Sequence, residues 1–374
     1  STASALELTT LPYCIDPVLT RFQMPDWWKN EKGNTKRNYA RLGAAYVRGT
    51  SVRIADGPLL ETVPTDHEWR TIAQNVISYQ RERLVNIHPQ LSFFRAELRP
   101  VRLLAPALVA FTGSEERVNR LLLEAAADAA GSPVGLPIVI PPERLADRAS
   151  LERLIASVAL DGVNSYFIWT PEVTESHLLE DPFLLSSLLW SVETLAGRGV
   201  PVAHMHAGYL AFALHDLGMA AAVHHLGWVD RGEPARQSGG GPRSCQTYAP
   251  GVRRTVRFDR AETLGRGLTD TEFADLFCSC TFCIGALDAG QHPLDLLLES
   301  QTITDKRGRS RLTPTGRATG LNTWHYLHAR RQEVERFSEG AAVDVVSADI
   351  ERASALAGRP DGERLQRIAS GLGR

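Results

Sequence analysis

The chain of 374 residues has no run of about 18 or more apolar residues, so no segment reads as a membrane-spanning helix and no membrane partner is expected. It also lacks an excess of either charge. Its 41 Lys and Arg face 43 Asp and Glu, a formal net charge of −2. That balance argues against a uniformly basic nucleic-acid coat, although a local basic patch would not change such a total. At the N-terminus, residues 1–17 (STASALELTTLPYCIDP) carry no basic stretch leading into an apolar one. A secretory leader is therefore not expected, and the expected compartment is the cytoplasm. No period of about 20–50 residues repeats, which argues against a solenoid or propeller. No Gly-x-Gly-x-x-Gly follows an apolar run, which weakens a dinucleotide-binding reading. Cysteine is scarce, and the five present do not read as a disulfide framework. The remaining composition, 43% hydrophobic and 22% charged, is that of a globular protein long enough to bury a core without covalent staples.

What is present is alternation. Apolar runs at 11–16 (LPYCID), 101–111, 135–141 (GLPIVIP), 162–169 (GVNSYFIW) and 199–206 (GVPVAHMH) predict strands, with weaker ones at 220–226 and 254–258. Most open on Gly or Pro and are apolar throughout, as parallel strands buried on both faces are. Amphipathic stretches at 68–85, 115–130, 145–157, 178–197 and 209–217 predict helices between them. This alternation implies βαβ units. The expected fold is α/β, a (β/α)8 barrel with chemistry at the C-terminal ends of the strands; a doubly wound open sheet is the alternative. Two stretches predict loops: 231–250, with Gly239-Gly240-Gly241-Pro242, and 304–320, where Lys306, Arg307, Arg309, Arg311 and Arg317 accompany one acid, Asp305. The tail, 345–374, predicts two short helices broken at Gly358-Arg359-Pro360.

Three of the five cysteines fall within six residues, as Cys278-Ser-Cys280-Thr-Phe-Cys283. Thiolates this close repel unless a cation neutralises them, and Zn2+ accepts three Cys and one His in a closed tetrahedron. Asn322-Thr-Trp-His325-Tyr-Leu-His328 offers two imidazoles on a helix, so His325 or His328 is the expected fourth ligand. The alternative is three buried cysteines without metal. Cys14 and Cys245 read as packing residues. The expected organisation is a barrel core over 1–275, a zinc-binding helical subdomain with the basic loop over 276–337, and a helical tail over 338–374.

This CxCxxC turn with a distal helix-borne His resembles the zinc site of the tRNA-guanine transglycosylases, where the cysteines are followed by a helical hairpin and a Trp-His-Asn-Leu-like segment. Thr323-Trp324-His325-Tyr326-Leu327 is similar to that segment. The resemblance therefore selects His325, with structural zinc on Cys278, Cys280, Cys283 and His325. The interval from Cys283 to His325 is longer than in the family, and the basic loop accounts for the excess. Upstream, His204-Met-His-Ala-Gly208, followed by a helix ending at Gly218, resembles the family's strand and glycine turn. Cys14-Ile-Asp16 through Phe22-Gln23 stands where the family has Asp-Ser-Gly-Gly-Phe-Gln. The resemblance implies a (β/α)8 barrel that exchanges a guanine in tRNA, or in DNA among relatives, for a 7-deazaguanine-type base. Asp16 would be its general acid/base. It also implies a carboxylate nucleophile after the Gly218 helix. Val223 or His224 stands there, and Asp230 is the nearest carboxylate beyond.

Other residues leave alternatives open. Trp169 offers an aromatic wall for a purine, or packs in the core. His204 and His206 point to one side of their strand; with His224 they line a substrate pocket, or hydrogen-bond in the barrel mouth without metal. With His225 and Asp230 they could instead hold the catalytic metal of a barrel metallohydrolase. Asp161 reads as a turn residue and Asp259 as a partner of its flanking arginines. Lys306, Arg307, Arg309 and Arg311 are candidates for phosphate contacts to tRNA or DNA, or belong to a solvated loop. The reading that competes with an enzyme is a non-catalytic nucleic-acid-binding paralogue. A homodimer or a heterodimer with a catalytic relative is the expected assembly.

Overall fold

The structure, a computed structural model, describes residues 14, 17, 19–23, 37–52, 64–92, 102–205, 208–223, 245–304 and 308–372. Four strands make one parallel sheet: β1 (Val134–Val139), β2 (Val163–Trp169), β3 (Val202–Met205) and β4 (Met219–Val223), paired in the order β1-β2-β3-β4. Parallel bridges extend it beyond β1 through Leu104 to Gly135 and Val109 to Val139, and further through Cys14 to Arg102. Neighbours in space are thus neighbours in sequence, without the reversal of order that marks a doubly wound sheet. The chain is a mixed α/β protein. No helix of the described residues is long and apolar enough to cross a membrane.

Both faces of the sheet are buried over β1, β3 and most of β2, which is why those strands are mainly apolar, whereas β4 leaves Ala220 and Ala221 exposed. Val134, Leu136 and Ile138 of β1, Tyr166 and Ile168 of β2 and Val202 of β3 join the large core under the helices. That core includes α1 (Asp66–Ser92), α2 (Gly113–Ala130) and α3 (Pro182–Ala196), and the same apolar cluster runs on through Cys278, Val345 and Leu365. The alternate residues Val139, Phe167, Trp169, Ala203 and Met205 form a second cluster on the opposite face with Leu104 and Val109. Gly135 lies on that second face. A Cβ there would meet Leu104 Cδ2 and Phe167 Cε2, each at 2.6 Å, so the two side chains close over the bare backbone. Gly218 turns the chain into β4 at φ 96°, with Ala196 Cβ only 2.4 Å from where its own Cβ would stand.

Several expected boundaries differ. The single helix expected at 145–157 is two, Pro142–Ala146 and Arg148–Ser157, because Asp147 accepts hydrogen bonds from the Ala149 and Ser150 N–H groups and caps the second. The helix expected at 178–197 likewise splits into Glu175–Glu180 and α3, with Asp181 as cap and Pro182 in the first turn. The strand expected at 254–258 is not a parallel barrel strand. It is β6 (Arg254–Arg257), antiparallel to β5 (Gln246–Ala249), whose residues fall in a stretch expected to be loop. The four residues between them allow a tight turn but no crossover. The basic stretch expected as a loop, 304–320, falls partly in a hairpin of β7 (Ser300–Thr304) and β8 (Ser310–Pro314) and partly in the helix that follows. α4 (Thr281–Asp288) precedes this hairpin, and α5 (Gly316–Glu339), α6 (Ala342–Ala357) and α7 (Arg359–Leu372) follow it. The break between α6 and α7 falls at Gly358, as the sequence implies.

The run at 101–111 is apolar enough for a strand, yet only Leu104 and Val109 bridge to β1. Three carboxamides replace the missing ladder. Gln80 of α1 donates to the Leu104 carbonyl at 2.7 Å and accepts from its N–H at 3.1 Å. Asn119 of α2 does the same for Leu108, at 3.0 and 2.7 Å. Gln23 holds Val109 at 3.2 and 2.5 Å. Each side chain thus supplies one donor and one acceptor, as a neighbouring strand would. Gln80→Leu keeps the bulk but strands both Leu104 groups in the core. A loss of about 2–4 kcal/mol is expected, read as a lower urea midpoint at unchanged m-value. Stability within about 0.5 kcal/mol of the parent would show that the segment does not depend on this pairing.

Candidate metal centre

The cysteine turn is built by three short elements. Phe273–Phe277 forms a π-helical turn, whose Phe273 carbonyl accepts from the Cys278 N–H at 2.9 Å. Cys278 is extended, Cys280 is the N-cap of α4, and Cys283 lies in the first turn of that helix. The thiols therefore sit at a helix N-terminus, where backbone N–H groups favour negative charge. The Cys280 N–H donates to Cys278 Sγ at 3.3 Å.

His325 arrives from the middle of α5. Its Nδ1 is 3.8, 3.4 and 3.5 Å from the sulfurs of Cys278, Cys280 and Cys283. All four side chains are fully buried, and their ligand atoms lie within 4.8 Å of one another. A tetrahedron with bonds of about 2.3 Å to sulfur and about 2.0–2.1 Å to nitrogen would set each sulfur about 3.6 Å from the nitrogen, so the residues fit such an ion. The ring's other nitrogen, Nε2, is 2.8 Å from the Tyr248 carbonyl on β5. It must donate there, which leaves the Nδ1 lone pair facing the sulfurs. His328, one turn on, is half-buried, stacks at a tilt on Trp324, and is not part of the cluster.

Burial pushes the Cys278 and Cys283 thiols up. Hydrogen bonds from Cys278 and Cys283 pull Cys280 down. Burial opposes charge on His325, but the sulfurs of Cys278 and Cys280 outweigh it and raise the imidazole well above its ordinary range. A divalent ion held here would take all three sulfurs as thiolates and the imidazole as a neutral ligand, so that binding releases protons. Arg352 of α6 stands behind the turn, donating to the carbonyls of Leu276 at 2.8 Å and Ala274 at 3.3 Å.

Tyr248 ties this centre to a second buried group. Its hydroxyl donates to Glu333 of α5 at 2.6 Å. Arg253, in the left-handed region at φ 54° after the β5–β6 turn, reaches Glu333 at 3.0 Å and Asp349 of α6 at 2.6 and 2.9 Å. Arg330 and Arg336 of α5 add bonds to Glu333 and Asp349 at 2.8 and 2.7 Å, and Tyr209 donates to Asp349. Burial opposes ionisation of both acids, but Arg330 and Arg253 hold Glu333 below its ordinary range, and Arg253 does the same for Asp349. Sequence reasoning missed this group. Its one available signal is that Arg330 and Glu333 fall in the buried stripe of α5, at the spacing of Asn322, His325, Tyr326, Ala329 and Phe337.

Among the described residues, the other expected site residues are not gathered at one place. Trp169 is buried at the C-terminal end of β2, on the second-cluster face. His204 is also buried, but it pairs in register with Ile168, and strand alternation sets it on the Val202 face under the helices. Trp169 and His204 thus lie on opposite sides of the sheet. Arg309 and Arg311 belong to the β7–β8 region, with Arg311 within β8. Asp259 pairs with Arg257 at 3.2 Å, the structural role expected for it. Asp16, His206, His224, Asp230, Lys306 and Arg307 lie outside the described residues. Comparison with known proteins adds no name to this arrangement: no family model, no curated protein and no solved structure matches the chain.

Two outcomes are expected. Metal analysis of the purified protein should find about one divalent ion per chain, zinc being the ion this donor set suits, and Cys280→Ser should remove it and lower the melting temperature. A parent protein that is equally stable with and without metal would remove the structural role. Asp349→Asn should cost about 3–5 kcal/mol near neutral pH, because it leaves Arg253 facing a lost charge. Asp349 is held below its ordinary value, so its contribution is present above the unfolded carboxyl's pKa and disappears as pH falls through the folded one. Urea titrations of parent and variant should therefore converge in acid. A gap independent of pH would show that packing, not charge, is what the substitution removes.

Proposed function

We propose that the chain is a (β/α)8-barrel enzyme, built around a structural zinc ion, that exchanges a guanine in tRNA or DNA for a 7-deazaguanine-type base. The observation that carries this reading is the meeting of Cys278, Cys280 and Cys283 with His325, which stands 42 residues beyond Cys283, in one buried cluster. That donor set matches the motif whose sequence resembles the tRNA-guanine transglycosylases. A parallel sheet whose spatial order follows chain order supports the barrel, since closure requires that winding. Four protein ligands leave a zinc ion no open position. It would therefore pin α4 and α5 to β5 and take no part in the chemistry.

In this reading Asp230 attacks the anomeric carbon of the target nucleoside while the glycosidic C–N bond breaks. The guanine leaves with a proton delivered by Asp16. The incoming base then attacks the same carbon through its ring nitrogen, gives its proton to Asp16 and expels the Asp230 carboxylate. In this reading Trp169, packed in the second apolar cluster at the C-terminal end of β2, would form the aromatic wall against the base.

One observation favours a second reading, a non-catalytic nucleic-acid-binding paralogue that pairs with itself or with an active subunit. Val223, the last described residue of β4, or His224 stands where the resemblance asks for a carboxylate. The barrel metallohydrolase has less support, because His204 lies on the helix-covered face. Incubation with labelled guanine and either bulk tRNA or duplex DNA separates these readings. Incorporation that Asp16→Ala and Asp230→Ala each abolish is the expected result. Nucleic-acid binding without incorporation would replace the enzyme by the paralogue, and metal-dependent hydrolysis lost in His204→Ala would replace both.

A further inference from the structure

The β7–β8 hairpin is exposed along most of its length. Every residue of β7 is exposed, as are Ser310, Arg311 and Leu312 of β8, with Leu312 58% and Ile303 37% exposed. An isolated two-stranded hairpin is marginal in water, and this one has core contact only at its root. There Thr313 and Pro314 are buried, and Thr315 donates to the Glu299 carboxylate at 2.9 Å. From 300 to 317 the sequence holds Lys306, Arg307, Arg309, Arg311 and Arg317 against Asp305 alone, a local charge of +4 in a chain whose total is −2. Arg311 is exposed and pairs across the ladder with Ile303, and Arg317 is exposed in the first turn of α5. No carboxylate pairs with either among the described residues.

We propose that this hairpin is an arm that binds duplex DNA, laid as a two-stranded ribbon in the major groove with Arg311 and Arg317 against the phosphates. The charge selects a polyanion, and the shape selects among polyanions. The B-form major groove admits a β-ribbon, whereas the A-form groove of RNA is too deep and narrow for one. The inference deepens the base-exchange reading by naming DNA, rather than tRNA, as the polynucleotide. The arm springs directly from α5, the helix that carries His325, so the metal centre fixes its root.

The test is fluorescence anisotropy of the full chain with a labelled DNA duplex, the matched RNA duplex and a single strand, over a range of salt. The DNA duplex should bind most tightly. Arg311→Glu combined with Arg317→Glu should weaken it about tenfold or more and reduce the salt slope by about two, while Arg311→Lys with Arg317→Lys should stay near the parent. Unchanged metal content and melting temperature in the variants would show that the fold is intact. RNA binding as tight as DNA, or charge reversal without effect, overturns the proposal. Because binding needs no chemistry, absent base exchange would sink the enzymatic reading and leave the arm standing. Exchange into DNA by the charge-reversed variant at parental affinity would do the opposite.

Discussion

A helix can bury a polar group only if something meets it, and α5 buries four such residues: Asn322, His325, Arg330 and Glu333. The Leu297 carbonyl answers Asn322. The cysteine turn and the Tyr248 carbonyl answer His325, while Arg253 and the Tyr248 hydroxyl answer Glu333. Arg330 is answered by Glu333 and by the faces of Tyr248 and Tyr326, at 4.5 and 5.4 Å. Tyr248 serves the centre with its backbone and the ion group with its side chain. A single β5 residue thus links the cysteine–histidine cluster to the buried ion group.

The same constraint extends outward. Asp349 draws α6 in through Arg253 and Arg336. Arg364 of α7 reaches Glu175, whose other oxygen accepts the Leu210 N–H at 2.8 Å beside Gly208. A Cβ at Gly208 would collide with that carboxylate, so the bare glycine after β3 is what lets Glu175 approach. The C-terminal helices are therefore joined by paired charges to the loops that follow β2 and β3. In a parallel α/β sheet that edge is where ligands bind. Buried ion pairs of this kind add little net stability over apolar packing, but they allow only one relative arrangement of the helices.

Much of this was legible in the sequence, and the misses have physical causes. Strands β1 to β3 were plain because continuous apolar runs bounded by glycine have few other uses, whereas β4 was signalled only weakly by its short alanine run. The Cys278–Cys283 turn was plain because crowded thiols have one common explanation. The splits at Asp147 and Asp181 were missed although each is a capping residue, because amphipathic spacing continues across both breaks. The 101–111 segment looked like a strand because its pairing partners are side chains of Gln23, Gln80 and Asn119, which lie far away in sequence. The β7–β8 hairpin was hidden because its residues are mostly polar and exposed and leave no apolar period to detect. β6 was expected as a weak strand, but its antiparallel partner β5 was missed because four residues are too few to show a period.

By itself the sequence determined the α/β alternation, the chemistry of the cysteine turn and the pairing of that turn with a helix-borne imidazole. These follow from local spacing and from what thiols and imidazoles do at close range. Residue spacing left His325 and His328 open, the resemblance selected His325, and the tertiary structure shows that ring facing the three sulfurs. The reason is a helix rotation fixed by the Tyr248 carbonyl at one end and Glu333 at the other. The tertiary structure alone also put Trp169 and His204 on opposite faces of the sheet and joined Arg253, Glu333 and Asp349, because such contacts span 80 to 96 residues of chain and leave no trace in local pattern.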